Sequence, residues 1–124
     1  MPMTNRADPS NVELAGAALA EVAAQHRPTS VVSWSATLDV LLAHVVAREL
    51  GIPRLEADLD LGRLLLDGHD PSDGLSAERV VLVADAITAD RPIEPLIAAV
   101  AGGGGQVVAV CSARDGVRTA DHTP

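Results

Sequence analysis

Residues Val80 to Ala84 are apolar at every position, and Asp85 follows at once. A strand with one wet face alternates; a run that never alternates needs apolar cover on both sides. Such a run suits a central strand of a parallel sheet, with helices packed on either face. After Asp85 come a short turn and an apolar helix, which starts between Asp90 and Pro95 and stops at the Gly102–Gly105 run. An acid at a strand's carboxyl end, ahead of a turn and a helix, lies where open α/β sheets hold their ligands. The glycine run follows the helix, so it is a loop and not a phosphate cradle feeding a helix N-terminus.

Strand and helix signals alternate along the rest of the chain. Ser10-Asn11-Val12-Glu13 has the form of a capping box, and Val12, Ala15, Leu19 and Val22 line one face of the helix it predicts. Pro28 ends that helix. Val31 and Val32 centre a short strand that stops near Ser33. A helix from Leu38 to Leu50 presents a wide apolar face, with Gly51 as its left-handed stop and Pro53 beyond. Leu55 to Leu61 alternates leucine or alanine with acids, as a strand with one wet face does. Leu64 to Leu66 forms a short strand or a helical turn. Asp67 to Gly74 is dense in turn residues and reads as an exposed loop. Val107 to Val110 is the last strand. The order predicts an α/β fold of three layers, αβα, around a mostly parallel, Rossmann-like sheet. Residues 1–9 read as a flexible arm, 10–112 as one domain and 113–124 as a polar tail that frays.

The net charge is −8, and all nine cations are arginine. The acidic balance argues against nucleic acid, whose binders carry a basic face, and the absence of lysine excludes Schiff-base chemistry. Trp34 is the only aromatic residue, so the core is aliphatic and only Trp34 could stack on a ring. Cys111, alone at the end of an apolar run, reads as a buried structural thiol. No segment reaches the ~18 apolar residues of a membrane span, and no basic-then-apolar signal opens the chain. These features predict a cytoplasmic protein with neither membrane nor nucleic acid as partner.

Val81-Leu82-Val83-Ala84-Asp85-Ala86-Ile87-Thr88-Ala89-Asp90-Arg91-Pro92-Ile93 fits one known frame without a gap: four apolar residues, two acids, a short spacer and a Thr-Gly-x-Thr turn into a helix. Upstream, Val31-Val32-Ser33 through Ala43, Ala47, Leu50, Gly51 and Pro53 follows the same pattern of first strand, loop and helix. Together, over Ser10 to Ser112, the chain resembles a type I phosphoribosyltransferase. The resemblance implies a phosphoribosyltransferase-like topology and phosphoribosyl pyrophosphate or a nucleotide as ligand. It implies acids that hold ribose hydroxyls, directly or through Mg²⁺, and a turn that cradles the 5′-phosphate at a helix N-terminus.

Carried over residue by residue, little of that machinery is present. Asp85 matches the first acid and is the candidate catalytic residue. The second acid is replaced by Ala86. Asp90, Arg91, Pro92 and Ile93 stand at the Thr-Gly-x-Thr positions. Pro92 removes an amide donor, and a carboxylate about 4 Å from a phosphate charge repels it by about 4 kcal/mol at an effective dielectric of 20. Asp90 is therefore expected to cap the helix itself, pair with Arg91 and fill the anion site. Around Leu38 and Asp39 the pyrophosphate loop also lacks its glycines; Ser35 and Thr37 are its remaining hydroxyl donors. The stretch matching the mobile hood has Glu56, Asp58, Asp60, Asp67, Asp70 and Asp73 against Arg63 alone, a lid that would repel pyrophosphate.

Two functions follow from the resemblance. One is a degenerate, non-catalytic binding or interaction module, working as a homodimer or beside a protein partner, with Leu64–Leu66 as an apolar contact. The other is a small active phosphoribosyltransferase, or another nucleotide-binding α/β enzyme. In it Asp85 holds ribose, Thr88 and Arg91 take phosphate, Trp34 or Ile87 touches a base, and Mg²⁺ takes part. The remaining polar clusters have plainer readings. Asp58 and Asp60 read as a solvated strand face. Asp67, His69, Asp70 and Asp73 read as turn chemistry and not as a metal site. His44 reads as a satisfied or half-exposed side chain.

Overall fold

The computed structural model describes residues 8–72 and 74–119. Residues 1–7 of the arm predicted over 1–9, Asp73, and residues 120–124 of the predicted tail lie outside them. Six strands, β1 (Ser30–Trp34), β2 (Arg54–Asp60), β3 (Arg63–Leu66), β4 (Arg79–Ala84), β5 (Gln106–Ser112) and β6 (Gly116–Thr119), form one sheet. Their order is β3-β2-β1-β4-β5-β6. β1, β2, β4 and β5 are parallel, and β3 and β6 close the two edges antiparallel. Helices α1 (Pro9–Ala23) and α2 (Thr37–Leu50) precede and follow β1, and α3 (Glu94–Gly102) joins β4 to β5.

The apolar run in β4 explains the layering. Val81 and Val83 pack with Leu19 of α1 and Leu42 and Val46 of α2, whereas Val80 and Leu82 pack with Leu96 and Val100 of α3. Successive side chains of one strand thus feed two separate clusters, one on each face of the sheet. Each buried valine is worth about 1.5–3 kcal/mol relative to exposure. This is the three-layer α/β fold that the sequence predicts. Cys111 is buried on the α1–α2 face, and burial pushes its thiol up to about 11, as a structural thiol requires. No helix among the described residues is long and apolar enough to cross a membrane.

Several details differ from expectation. Asp8, not Ser10, caps α1: its carboxylate accepts the Ser10 N–H at 3.0 Å, and Pro9 takes the first helical position, where its missing N–H costs nothing. β2 and β3 form a hairpin whose turn residues Leu61 and Gly62 both have positive φ, 52° and 82°, as a two-residue hairpin turn demands. The alternation in β2 buries only Ala57; Leu59 and Leu61 are 63% and 96% exposed. The cause is register. β1 ends opposite Ala57, so the hairpin runs on past its neighbour. Leu66 is buried and Leu64 packs on the α3-side cluster, so the apolar segment expected to meet a partner is covered by its own chain. The expected tail contains β6, which pairs with β5 from Ser112↔Gly116 to Ala109↔Thr119.

The glycine run after α3 answers a steric demand. A Cβ on Gly103 would lie 2.2 Å from the Pro71 carbonyl oxygen, so the loop seats tightly against Pro71, Leu75 and Ser76. Gly16 does the same between α1 and α2, where a Cβ would stand 2.5 Å from Val45 Cβ. Gly16→Ala gains about 1 kcal/mol of helix propensity but overpacks the contact at a cost of about 1–3 kcal/mol. The melting temperature should fall by a few degrees; a rise in thermal melts would show that α1 can move off α2 freely.

Candidate functional site

β1 is followed by a connection to one side of the sheet and β4 by one to the other, so the crevice between their carboxyl ends is the topological switch point. Three loops meet there: 35–36 after β1, 85–93 after β4 and 113–115 after β5.

Asp39, in the first turn of α2, joins the first two loops. It is 1% exposed. One carboxylate oxygen accepts the Asp85 N–H at 2.8 Å; the other lies 3.6 Å from Arg91 Nε and makes no hydrogen bond. Burial raises its pKa above the ordinary aspartate value. The Asp85 N–H and the Arg91 charge oppose the rise, and the Asp85 charge adds to it. A carboxylate in the first turn also gains from the helix dipole.

The loop after β4 is held from three directions. The Arg91 N–H turns back on Thr88, 3.2 Å from both its carbonyl and its hydroxyl oxygen. The Pro92 carbonyl accepts the Trp34 indole N–H at 3.0 Å. The Ile87 N–H donates to Asp115 Oδ2 at 2.8 Å, an oxygen that also accepts the Ser112 hydroxyl. The Asp85 carbonyl accepts the Arg114 N–H at 2.9 Å and the Ser112 hydroxyl at 3.2 Å.

Trp34 ends β1, and Asp85, Thr88, Asp90 and Arg91 lie in the segment that follows β4, but their contacts differ from those expected. Asp90 does not cap α3. That helix begins at Glu94 behind Ile93 without a side-chain cap, and Asp90 lies exposed in the turn. Arg91 pairs with Asp39 instead of Asp90, because the turn at Thr88 aims it inward. Trp34 is 8% exposed within the α3-side cluster, so its ring is not available for stacking. Ser35 donates its hydroxyl to Asp58 at 2.5 Å and its N–H to Ala57, which ties it to β2. Thr37 is exposed at the first position of α2. His44 is exposed. Glu56 pairs with Arg54 at 2.7 Å, so Glu56, like Asp58, serves local structure. Among the described residues, no group of three or more His, Cys, Asp or Glu side chains could hold a metal ion.

Beside the crevice, on the α1–α2 face, is a cavity of about 400 Å³. Asp85 and Arg114 line it, with Val12, Leu38 and Leu42 on its apolar side. Asp85 is 5% exposed. Asp39, Arg114 and Asp115 were not singled out as functional from sequence. The available signals were an acid three places into a helix that follows a strand, and an Asp-Gly turn at 115–116.

No protein-family model matches the sequence, and no curated protein does. Solved structures match the fold. A purine phosphoribosyltransferase from Pyrococcus horikoshii is 21% identical with a TM-score of 0.60, over 82% of this chain and 70% of that one. An adenine phosphoribosyltransferase from Rhodothermus marinus is 21% identical with a TM-score of 0.65, over 84% of this chain and 66% of that one. A Neisseria gonorrhoeae protein solved with bound ppGpp is 15% identical with a TM-score of 0.59, over 83% and 66%. The chain therefore spans about two thirds of the length of these proteins.

The Asp39 tie is testable. Asp39→Ala leaves the buried Asp85 N–H without an acceptor, a loss of about 1–3 kcal/mol. Asp39→Asn keeps an acceptor and should be the more stable of the two variants in chemical denaturation. The pH dependence follows from the raised pKa. The folded state binds the proton more readily than the unfolded chain. Relative to Asp39→Asn, the wild type should therefore gain stability as pH falls through the raised folded value towards 3.8, and change no further below it. A gap that is flat with pH would show that Asp39 carries no burial penalty.

Proposed function

We propose that this chain, whose fold is that of the type I phosphoribosyltransferases, uses it as a non-catalytic binding or interaction module, with a degenerate phosphoribosyl pyrophosphate site. The observation that carries the reading is the fate of the backbone donors around the turn after β4. The N–H groups of Asp85, Ile87 and Arg91 already donate to Asp39, Asp115 and Thr88, and Pro92 has no N–H to give. Two of these acceptors are carboxylates, so the chain's own anions take donors that a phosphate would need. Arg91 is drawn towards Asp39 and offsets that charge first.

A magnesium ion held between ribose hydroxyls and a pair of acids would find only Asp85, because Ala86 brings no oxygen. The donor set does not fit the ion. Catalysis of phosphoribosyl transfer rests on electrostatic handling of pyrophosphate and a cationic ribose; with the second acid, the phosphate turn and a basic hood all missing, binding outlasts chemistry. The second reading, an active transferase or a nucleotide-binding enzyme, draws its support from the place of Asp85 on the wall of the cavity. A partner chain or a second copy would find the hairpin leucines Leu59 and Leu61 exposed.

The test is thermal unfolding with phosphoribosyl pyrophosphate and Mg²⁺, and with nucleoside monophosphates, beside a transfer assay on common bases. A ligand at 100 times its Kd stabilises by about 2.7 kcal/mol, several degrees for a chain of this size. No shift and no transfer are expected. A clear shift with turnover would establish the enzyme reading and end this one.

A further inference from the structure

The β2–β3 hairpin carries an apolar face that the chain only partly covers. Leu55 and Ala57 belong to the cluster on the α3 side of the sheet. Leu59 shares their face, because alternate residues of a strand do. It lies opposite Leu64, which packs on the same cluster. The other face of β2 carries Arg54, Glu56, Asp58 and Asp60, where Glu56 pairs with Arg54 and Asp58 with Ser35. A helix about 10 Å across covers about two strands set about 4.8 Å apart. α3 is the only helix on its side among the described residues, and it packs on β5. Over β2 and β3, Leu59 is therefore left 63% exposed, with Leu55 and Leu64 half-buried. Beside Leu55 and Leu66 the face adjoins a cavity of about 230 Å³, lined further by Leu75 and by the exposed Asp67, His69 and Asp70.

Three observations select what fits this face. First, strand addition is blocked at the outer edge of β3. Leu66 already exchanges both backbone hydrogen bonds with His69, at 2.8 and 2.9 Å. Second, the surrounding charge is negative. Asp67 and Asp70 line the cavity, and Glu94 is exposed at the start of α3. The nearby arginines are engaged, Arg63 by Asp70 at 3.4 Å and Arg91 by Asp39. A second copy would set these acids against their own duplicates in a chain of net charge −8. Nucleic acid or an anionic lipid surface would add negative charge in the same way. Third, the run from Leu55 to Leu59 is about 13 Å long at about 3.3 Å per residue, the length of about nine helical residues.

We propose that this face seats an amphipathic helix of a partner protein. The helix lays its apolar stripe on Leu55, Leu59 and Leu64 and turns lysines or arginines on its flanks towards Asp67, Asp70 and Glu94. The proposal rests on the binding-module reading above and names the chemistry of that module's partner. It uses no phosphate subsite.

The probe is a tryptophan-free helical peptide of about 18 residues, long enough to hold a helix, with leucine at helical spacing and lysine on both flanks. Trp34, the only aromatic residue of the chain, belongs to the same cluster, so tryptophan emission and calorimetry both report binding to the full protein. The peptide should bind with a Kd below about 100 μM, and more weakly as salt rises. A peptide of the same composition with the leucines out of helical period, and one with glutamate in place of lysine, should each bind at least about tenfold more weakly. Leu59→Gln should weaken the first peptide about tenfold, whereas Leu14→Gln, at a 72% exposed position on α1, should leave it unchanged. Both changes are at exposed positions, and thermal melts check that both variants fold. Absence of binding up to about 1 mM, equal binding of the out-of-period peptide, or indifference to Leu59→Gln overturns the proposal. A dimer of the wild type in sedimentation that Leu59→Gln dissolves also overturns it, in favour of a second copy. Helix binding together with phosphoribosyl transfer would overturn the non-catalytic reading and leave this one standing; neither binding nor transfer would do the reverse.

Discussion

The Asp39 carboxylate fastens the carboxyl end of β4 to the start of α2, and the rest of the site is arranged around it. Removing a carboxylate from water costs several kcal/mol. Against this stand a charge-assisted hydrogen bond from Asp85 N–H, worth about 1.5–3 kcal/mol, and the α2 dipole, worth up to about 2 kcal/mol when partly buried. The Arg91 charge adds attraction, about 4 kcal/mol at a separation near 4 Å and an effective dielectric of 20. Its side chain is 39% exposed, so solvent screens much of that. The raised pKa reports the balance: burial is the largest effect, and the Asp85 N–H and the Arg91 charge offset only part of it.

The tie has consequences for both neighbouring loops. With Asp85 N–H committed to Asp39, the chain leaves β4 at a fixed angle. The Asp85 carbonyl is then presented to Arg114 N–H and Ser112 Oγ of the β5 loop. Asp115 returns the contact by accepting Ile87 N–H, and Trp34 reaches across from β1 to Pro92. The crevice is thus lined with polar groups that already have partners in the chain. That arrangement stabilises loops of an aliphatic domain, and it reduces what the same loops can offer to an anion.

The strand-and-helix order was legible because it rests on period and length. A run apolar at every position in β4, a wide apolar face on α2 and a glycine stop at Gly51 each have one cheap structural solution. Even so, the hairpin tip was misread, since alternation in β2 predicts a buried face only while β1 lies alongside. The tail was misread because Gly116–Thr119 is too short and polar to announce itself as a strand; its pairing with β5 decides it. At the site, Asp85 could be placed from its position after the strand. The roles of Asp90 and Arg91 could not, because a turn at Thr88 sets which of them faces inward. Asp39 was hidden in an amphipathic pattern where a polar residue reads as surface. Sequence period gives the face of a helix, and it does not tell that the face's first turn meets another loop's amide.

The same physics separates the two halves of the site. On the crevice side, anion recognition needs donors left unsatisfied in the empty protein, and such donors are costly to bury. Carboxylates supplied by Asp39 and Asp115 remove that cost by accepting the Asp85 and Ile87 N–H groups. On the α1–α2 side, the cavity that Asp85 and Arg114 line is walled by the aliphatic side chains of Val12, Leu38 and Leu42 together with Asn11. Nothing there drives the chain to close the space: Val12 and Leu42 are already 6% and 3% exposed, so collapse would bury little more of them. An open cavity can therefore persist beside a crevice whose backbone donors are internally paired.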